Sequence, residues 1–358
     1  MRVWIRRLEL KNFRNYASFE LEPSEGLTIL VGPNAIGKTN VVEAIELVTE
    51  TTSFRNPVWA DLVRQGAETA TVLMQAEAES ESRTDIALTV ENGRRAYRVN
   101  GAPKRAVIDA AGLVPAVVFT PDDLRVIKEG ADRRRAALDS VGTQISRPYG
   151  QLKGEYDRIL RQRNALLREP ETTNDELEPW TEQLARTGAA LTARRESLTG
   201  KMAGRVSEEY AALSRQENLS VAYTSGWSAD GPGDEDAMLE RLRARALEER
   251  ARRTTLVGPH RDDVRFEIDG KDARAFASQG QQRSAALAWK LAELDVIEEL
   301  SGKTPVLLLD DVMSELDESR RHALATRVGR RTQTIMTTTN LGYFDETLIE
   351  EARVIELA

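Results

Sequence analysis

Residues 32 to 39 read Gly32-Pro33-Asn34-Ala35-Ile36-Gly37-Lys38-Thr39. They fit G-x-x-x-x-G-K-[ST] at every fixed position. Glycines let backbone N–H groups curl around a phosphate without a Cβ in the way. A helix N-terminus directly after such a loop adds partial positive charge. Lys38 is expected to reach the β- and γ-phosphates of ATP, and the Thr39 hydroxyl to ligate Mg²⁺. Asn40, next along the helix, completes the expected nucleotide-contacting set. Far downstream, Val306-Leu307-Leu308-Leu309 is followed by Asp310-Asp311. Four apolar residues bury a strand and leave two acids at its C-terminal end, where ligands sit in an open parallel sheet. Asp310 is expected to hold Mg²⁺, directly or through water, and Asp311 to polarise the attacking water as general base. Helix capping could account for one acid, but not for two acids and the Ser314-Glu315-Leu316-Asp317 that follows.

Ser278-Gln279-Gly280-Gln281-Gln282-Arg283 opens a long helical pattern. It resembles the signature motif of ABC ATPases, in which the Ser hydroxyl, the Gly backbone and the helix tip grip the γ-phosphate of ATP bound to the other subunit. Ser278, Gly280 and Gln281 join the expected nucleotide contacts on that resemblance. Alone the hexapeptide also reads as a polar helix cap; its weight comes from its place between the phosphate loop and the acid pair. Ser314 to Asp317 matches the D-loop of the same superfamily. Gln65 stands where a Q-loop glutamine would, although a loop glutamine is often simply solvated. The switch position, a histidine in transporters, falls on Thr338, Thr339 or Asn340. ATPases of this kind often carry Glu where this chain has Asp311. The shorter side chain displaces the base, and a shift of ~1 Å can cost on the order of 100-fold. Slow turnover is expected, and a rate above ~10 per second would argue against it.

These motifs need an α/β scaffold. Val3, Ile5, Leu8 and Leu10 suggest one strand, Phe19 and Leu21 a second, and Leu27 to Val31 a buried third before a helix from about Lys38. Residues 69 to 99 again look like strands, with a hairpin turn at Glu91-Asn92-Gly93. From Pro121 to about Arg253 the pattern is mostly helical, with breaks at Pro170 to Thr173 and Gly226 to Gly233 and without sustained heptads. A strand at Val264 to Ile268, a helix at Gln279 to Leu300 and strands at Val306 to Leu309 and Thr334 to Thr337 complete the pattern. The simplest organisation is an ABC-type P-loop ATPase head, combining mixed β structure with a parallel sheet and interrupted by a helical arm. It assigns 1–120 and 254–358 to the ATPase lobe and 121–253 to the arm.

The 358 residues include no cysteine, so disulfides, thiolate zinc sites and Cys nucleophiles are excluded. The only histidines are His260 and His322, too few for a His-rich metal centre. The N-terminus lacks a signal-peptide h-region and no apolar run approaches a membrane span, so a cytoplasmic protein is expected. Net charge is -8, so any DNA contact must be a local basic patch. Candidates are Arg133 to Arg135; Arg158, Arg161 and Arg168; Arg241 to Arg253; and the N-terminal Arg6, Arg7, Lys11 and Arg14. For each alone, a solvated helix face with i, i+4 ion pairs is the simpler account. Sequence-specific reading is not expected, since nothing resembles a recognition helix or zinc finger.

Four further segments carry a closer resemblance. They are Leu10-Lys11-Asn12-Phe13-Arg14-Asn15-Tyr16; Pro121-Asp122-Asp123-Leu124 with Arg133-Arg134-Arg135 and Leu138-Asp139; Val257-Gly258-Pro259-His260-Arg261-Asp262-Asp263; and Leu309 to Asp317. Together they resemble the RecF family across nearly the whole chain. The resemblance implies a slow, DNA-stimulated ATPase that forms a homodimer on ATP and closes on DNA at gaps or single-strand/duplex junctions. It also implies partnership with RecR and help in loading RecA during repair, replication restart and the SOS response. A transporter ATPase subunit shares the nucleotide motifs but lacks so large an arm. An SMC-like tether would need far more than the roughly 60 Å that a helix from Asn174 to Ser214 spans.

Overall fold

The computed structural model describes residues 1–80, 82–104, 107–214, 217–228, 234–327 and 332–357. It divides into two compact units: Met1–Arg125 with Ala286–Ala358, and Val126–Ala285.

The first unit is assembled from both ends of the chain. Its antiparallel sheet contains β1 (Val3–Phe13), β2 (Tyr16–Leu21), β4 (Thr69–Ala78), β5 (Arg83–Glu91), β6 (Arg94–Val99) and β7 (Ala102–Lys104), in the order β2-β1-β4-β5-β6-β7. Alternation marks the longer of these strands. In β4, Ala70, Val72, Met74 and Ala76 are buried while the residues between them are partly exposed. Asn92 and Gly93 both take positive φ, 49° and 69°, and Glu91 pairs with Arg94, so the expected hairpin forms with a two-residue turn.

The second sheet is parallel throughout: β3 (Leu27–Val31), β8 (Ala116–Phe119), β12 (Val306–Asp310), β13 (Thr334–Thr338) and β14 (Arg353–Glu356), in the order β14-β3-β13-β12-β8. β8, β12 and β13 are buried along their whole length, as continuous apolar strands covered on both faces must be. Helix α1 (Lys38–Thr49) buries Val41, Val42, Ile45 and Val48 in the same core. Buried Gln333 ties the two sheets. Its Oε1 accepts from the Ile5 amide at 2.6 Å and its Nε2 donates to the Ile5 carbonyl at 2.8 Å. Helices α9 (Glu318–Arg327) and α10 (Glu346–Glu351) complete this unit.

The second unit contains α2 (Ala131–Ile145), α3 (Arg147–Arg168), α4 (Asn174–Leu213), α5 (Glu235–Ala244), α6 (Ala246–Arg252) and the short α7 (Ala273–Phe276). Helix α8 (Gln279–Ser301) spans the boundary between the units. α4 begins at a capping box: Thr173 Oγ1 accepts from the Glu176 amide, and the Glu176 carboxylate accepts from the Thr173 amide.

Three features differ from the sequence expectation. The arm is not wholly helical, because β9 (Leu219–Thr224), β10 (Asp263–Ile268) and β11 (Lys271–Asp272) form a three-stranded sheet in the order β11-β10-β9. Leu219 and Val221 alternate with exposed residues there, a period-2 run that the flanking helices obscured. Because β10 pairs with β9, the inserted unit runs to Ala285 rather than 253. Leu177, Leu184, Leu191 and Leu198 do recur every seven residues, and all four are buried. Leu184 and Leu191 join the core of this unit rather than a coiled coil. Of the break expected at Gly226 to Gly233, residues 229–233 lie outside the described residues.

Buried polar networks hold the second unit together. Arg163 pairs with Glu249 at 2.7 Å, and Arg195 grips Asp139 through two bonds of 2.8 and 2.7 Å. The segment from Val257 to Asp263 supplies several further partners. The Pro259 carbonyl accepts from Arg195, Asp262 accepts from Thr192, Tyr223 and the Gly226 amide, and Asp263 takes Arg134 bidentately. His260 Nε2 faces the Thr255 carbonyl, an acceptor only, so Nε2 carries the proton and Nδ1 accepts from the Tyr156 hydroxyl at 2.6 Å. Burial pushes the His260 imidazole down to about 4, so it stays neutral.

In the first unit, Trp289 Nε1 donates to Glu293 Oε1 at 2.6 Å, and Lys290 bridges Glu293 and Asp123 at 3.1 and 3.4 Å. Burial pushes the Glu293 carboxyl up to about 7 even though Lys290 pulls it down. A raised acid favours the protonated fold, so wild-type stability falls as pH rises from the unfolded value near 4.5 through about 7. Glu293→Gln keeps an acceptor and removes the titration. Thermal unfolding without nucleotide should show the variant gaining on wild type between pH 5 and 8. A constant difference across that range would contradict the assignment.

Candidate nucleotide-binding site

Strand order brings the loop and the acid pair together. β12 is separated from β3 by β13 alone. Asp310 lies in register with Thr337 on β13, and Thr337 with Leu30 on β3, two residues before the loop. Asp310 Oδ1 accepts from Thr337 Oγ1 at 2.8 Å and from Thr39 Oγ1 at 3.0 Å. One carboxylate oxygen therefore joins the end of β12, the neighbouring strand and the first turn of α1.

Pro33, Asn34 and Ala35 are exposed on the loop, whereas Gly37 and Lys38 are buried. The Lys38 ammonium turns back onto the loop and donates to the carbonyls of Gly32 and Pro33 at 2.6 and 2.8 Å. That leaves one of its three donors for an anion. Gly32 and Gly37 are required by their surroundings. A Cβ on Gly32 would lie 2.8 Å from the Leu357 carbonyl oxygen. Gly37 has φ +120°, and a Cβ there would lie 2.7 Å from both Asn15 Nδ2 and the Tyr16 hydroxyl.

Asn15 in the turn between β1 and β2, and Tyr16 at the start of β2, lie against the loop. Asn15 Nδ2 donates to the Ile36 carbonyl at 2.8 Å, and Asn15 Oδ1 accepts from Asn40 at 2.7 Å. Asn40 Oδ1 in turn accepts from Arg55 at 2.7 Å. Buried Glu43, one turn along α1, takes Arg14 through two bonds, Ser53 at 2.8 Å and Arg55 at 3.2 Å. The Tyr16 hydroxyl is buried without a partner among the described residues.

Burial raises the Asp310 carboxyl above its ordinary range, opposed by the Thr337 and Thr39 hydrogen bonds and by the charges of Arg55 and Lys38. Asp311 is raised first by burial and then by the charge of Asp310. Its backbone is left-handed, φ 53°, and its amide donates to Thr337 Oγ1 at 3.0 Å. One Asp311 carboxylate oxygen is buried without a partner among the described residues. A divalent cation would relieve both acids. No group of three His, Cys, Asp or Glu residues able to hold a metal occurs among the described residues. A donor set of one carboxylate and one hydroxyl fits Mg²⁺ shared with a triphosphate, since Mg²⁺ takes one or two carboxylates and completes its shell with phosphates and water.

The signature segment lies in the second unit. Ser278 and Gln279 are exposed. Ser278 and Gln281 form a capping box: the Ser278 amide donates to Gln281 Oε1 at 2.7 Å, and the Gln281 amide donates to Ser278 Oγ at 3.2 Å. The Ser278 hydroxyl is used there as an acceptor and keeps its proton to donate. Gln281 is also held by Glu217 at 2.7 Å.

The chain matches the family described as the RecF/RecN/SMC N terminal domain over residues 4–355. A DNA replication and repair protein RecF from Cyanothece sp. (strain PCC 7425 / ATCC 29141) is 40% identical over 99% of this chain and 97% of its own length. Its counterpart from Symbiobacterium thermophilum is 41% identical over 95% of this chain and 92% of its own. The chain belongs to the RecF family. A solved structure of the recombination mediator protein RecF in the RecFOR pathway, described as RecF-ATP, superposes with a TM-score of 0.89 at 32% identity, over 96% of this chain and 94% of that one. An Smc head domain from Pyrococcus furiosus shares the fold at TM-score 0.55 and 18% identity. The expected ABC-type ATPase head with a parallel sheet is thus the fold of this RecF-family protein.

Other expected residues are more scattered. Gln65 is exposed in the turn before β4 and makes no hydrogen bond among the described residues. Thr338 is buried and bonded to the Asn340 backbone, and Asn340 Oδ1 caps the Gly342 amide, which leaves the exposed Thr339 uncommitted. Most arginines nominated for DNA are engaged by acids or carbonyls of this chain, several of them in exposed surface pairs. Arg134 is buried on Asp263, Arg135 bonds to Asp132 and the Asp262 carbonyl, and Arg133 pairs with Glu129. Arg243 pairs with Glu178, while Arg245 and Arg252 share Glu248. Arg6, Arg7 and Arg14 pair with Glu77, Glu9 and Glu43.

The sequence reading missed Thr337, Arg55 and Glu43, which belong to no motif it used. A test of the loop follows from Gly37. Gly37→Ala places a side chain at φ +120° against Asn15 and Tyr16. It should lower stability by about 1–3 kcal/mol, read as a lower midpoint of thermal unfolding; an unchanged midpoint would mean that the turn yields without cost.

Proposed function

We propose that this RecF-family protein is a slow, ATP-dependent clamp on DNA. The observation that carries the reading is the contact of Asp310 Oδ1 with both Thr39 and Thr337, which sets a cation site beside a phosphate loop. On this reading Gly32 to Thr39 hold the ATP phosphates, with Asn40 fixing the loop through Asn15. Lys38 contributes its remaining donor to the β- and γ-phosphates. Thr39 and Asp310 share Mg²⁺, which neutralises phosphate charge when bound. Asp311, left-handed and with one unpaired buried oxygen, receives the proton of the attacking water. Its shorter reach keeps turnover slow, and DNA accelerates it.

The exposed tip of α8 serves a second copy. The Ser278 hydroxyl, with Gly280 and Gln281, grips the nucleotide held by the partner's loop, so ATP binding joins two chains. Thr339 fits the switch position, and exposed Gln65 remains the candidate Q-loop glutamine. The dimer closes on DNA at gaps or single-strand/duplex junctions. With RecR it helps load RecA in recombinational repair, replication restart and the SOS response, in the cytoplasm. Relatives named for DNA replication and repair support this assignment, as does a RecF structure described with ATP. No helix among the described residues is long and apolar enough to cross a membrane.

Sedimentation with and without ATP and a gapped duplex tests the clamp. Lys38→Ala should abolish ATP-induced dimerisation. Asp311→Asn should bind ATP, accumulate as dimer and hydrolyse at least ~100-fold more slowly than wild type, the lower end of what a general base contributes. Dimerisation of Lys38→Ala at wild-type ATP concentration, or unimpaired hydrolysis by Asp311→Asn, would overturn these roles.

A further inference from the structure

The pairing of most nominated arginines leaves open which surface meets DNA, and α4 offers one that the sequence did not single out. Between Arg186 and Gly204 its fully exposed residues are three cations, Arg186, Arg194 and Lys201, and five small residues; the one acid in the stretch, Glu196, is half-buried. In a chain with 58 acids and 50 Lys and Arg, such a face is a local reversal of sign. Spacings of eight and seven residues keep the cations on one side of the helix. None of the three makes a hydrogen bond or ion pair among the described residues. By contrast, nearby Arg205 is paired with Glu208. The leucines of α4 point into the unit's own core, so this face is left to solvent.

Two glycines on the same face lack an internal reason. A Cβ on Gly200 or Gly204 would meet nothing within 4 Å, yet glycine within a helix costs about 1 kcal/mol relative to alanine. Here they keep the surface low on either side of Lys201. Arg186 to Lys201 spans roughly 22 Å along the helix, the axial length of about six or seven nucleotides of one duplex strand at 3.4 Å each. α3 also carries Arg158, Arg161 and Arg168, unpaired among the described residues, but exposed Glu155 lies on the same helix and exposed Glu169 directly after it.

We propose that the Arg186–Arg194–Lys201 face of α4 binds the phosphate backbone of DNA. The proposal rests on the DNA-clamp reading and adds the surface that makes contact. Charge complementarity selects the ligand: a polyanion with closely spaced phosphates and no demand for base-specific groups.

The test is fluorescence anisotropy with a labelled gapped duplex, in ATP, from 50 to 200 mM salt. The triple variant R186E/R194E/K201E should lose affinity by at least tenfold at 100 mM salt. Its log K against log salt slope should flatten by up to ~2.7, about 0.9 for each lost phosphate contact. ATP-induced dimerisation, followed by sedimentation, should stay at wild-type level and shows that the variant is folded. Wild-type affinity and slope in this variant would overturn the proposal, whether or not R158E/R161E/R168E weakens binding. Failure of the unsubstituted protein to bind the duplex would overturn the DNA-clamp reading and this surface with it.

Discussion

A single buried carboxylate oxygen, Asp310 Oδ1, sets the geometry on which the site depends. It accepts from Thr39 at the start of α1 and from Thr337 in the adjoining strand, so loop, acid and central strand cannot move independently. A charge buried this way costs free energy unless it is hydrogen-bonded or paired. The two hydroxyls meet part of that cost and leave the rest to a cation. The neighbouring Asp311 is held by Thr337 through its backbone and keeps a carboxylate oxygen unpaired. Two adjacent acids in one buried corner therefore differ in setting: one is hydrogen-bonded twice, the other oriented but uncommitted. On the proposed reading, that difference of environment makes Asp310 the metal ligand and Asp311 the base.

The same economy appears around the loop. The β1–β2 turn reaches Gly37 so closely that only hydrogen fits there, and Asn15 links the Ile36 carbonyl to Asn40. Arg14 and Arg55 meet on Glu43 behind it. Glycine at position 37 thus serves the protein's own packing as well as any phosphate. In the second unit, buried ion pairs and the residues from Pro259 to Asp263 hold helices to a small sheet. Their partners are consumed internally, so the RecF-like segment around His260 is accounted for by architecture rather than by chemistry.

Much of this was legible in the sequence. The loop, the acid pair, strands β3, β12 and β13 and helices α4 and α8 carry strong local patterns, and each occurs within a residue or two of its expected position, whereas β8 and β14 were not expected. Thr337 was not legible as a site residue, because its role arises from lateral strand order, and one-dimensional spacing does not reveal which strands are neighbours. Arg55 acts through a loop without regular pattern. β9 was hidden because six alternating residues are short beside a 40-residue helix. Charge runs misled for a simpler reason. Arginines clustered in sequence face different ways once folded, and those at 133 to 135 point at acids within the unit. Cations eight and seven residues apart on α4 look unrelated in the sequence and share one face in the helix.

The chain has no cysteine, so introduced thiols report cleanly on the claim that one copy's α8 tip meets the nucleotide loop of another. The decisive measurement mixes protein carrying S278C with protein carrying N34C and treats the mixture with a short bifunctional maleimide, with and without ATP. The account predicts a mixed cross-linked dimer that forms with ATP and is lost without it. An ATP-dependent dimer in which S278C couples only to S278C, or a mixed product indifferent to nucleotide, would contradict it.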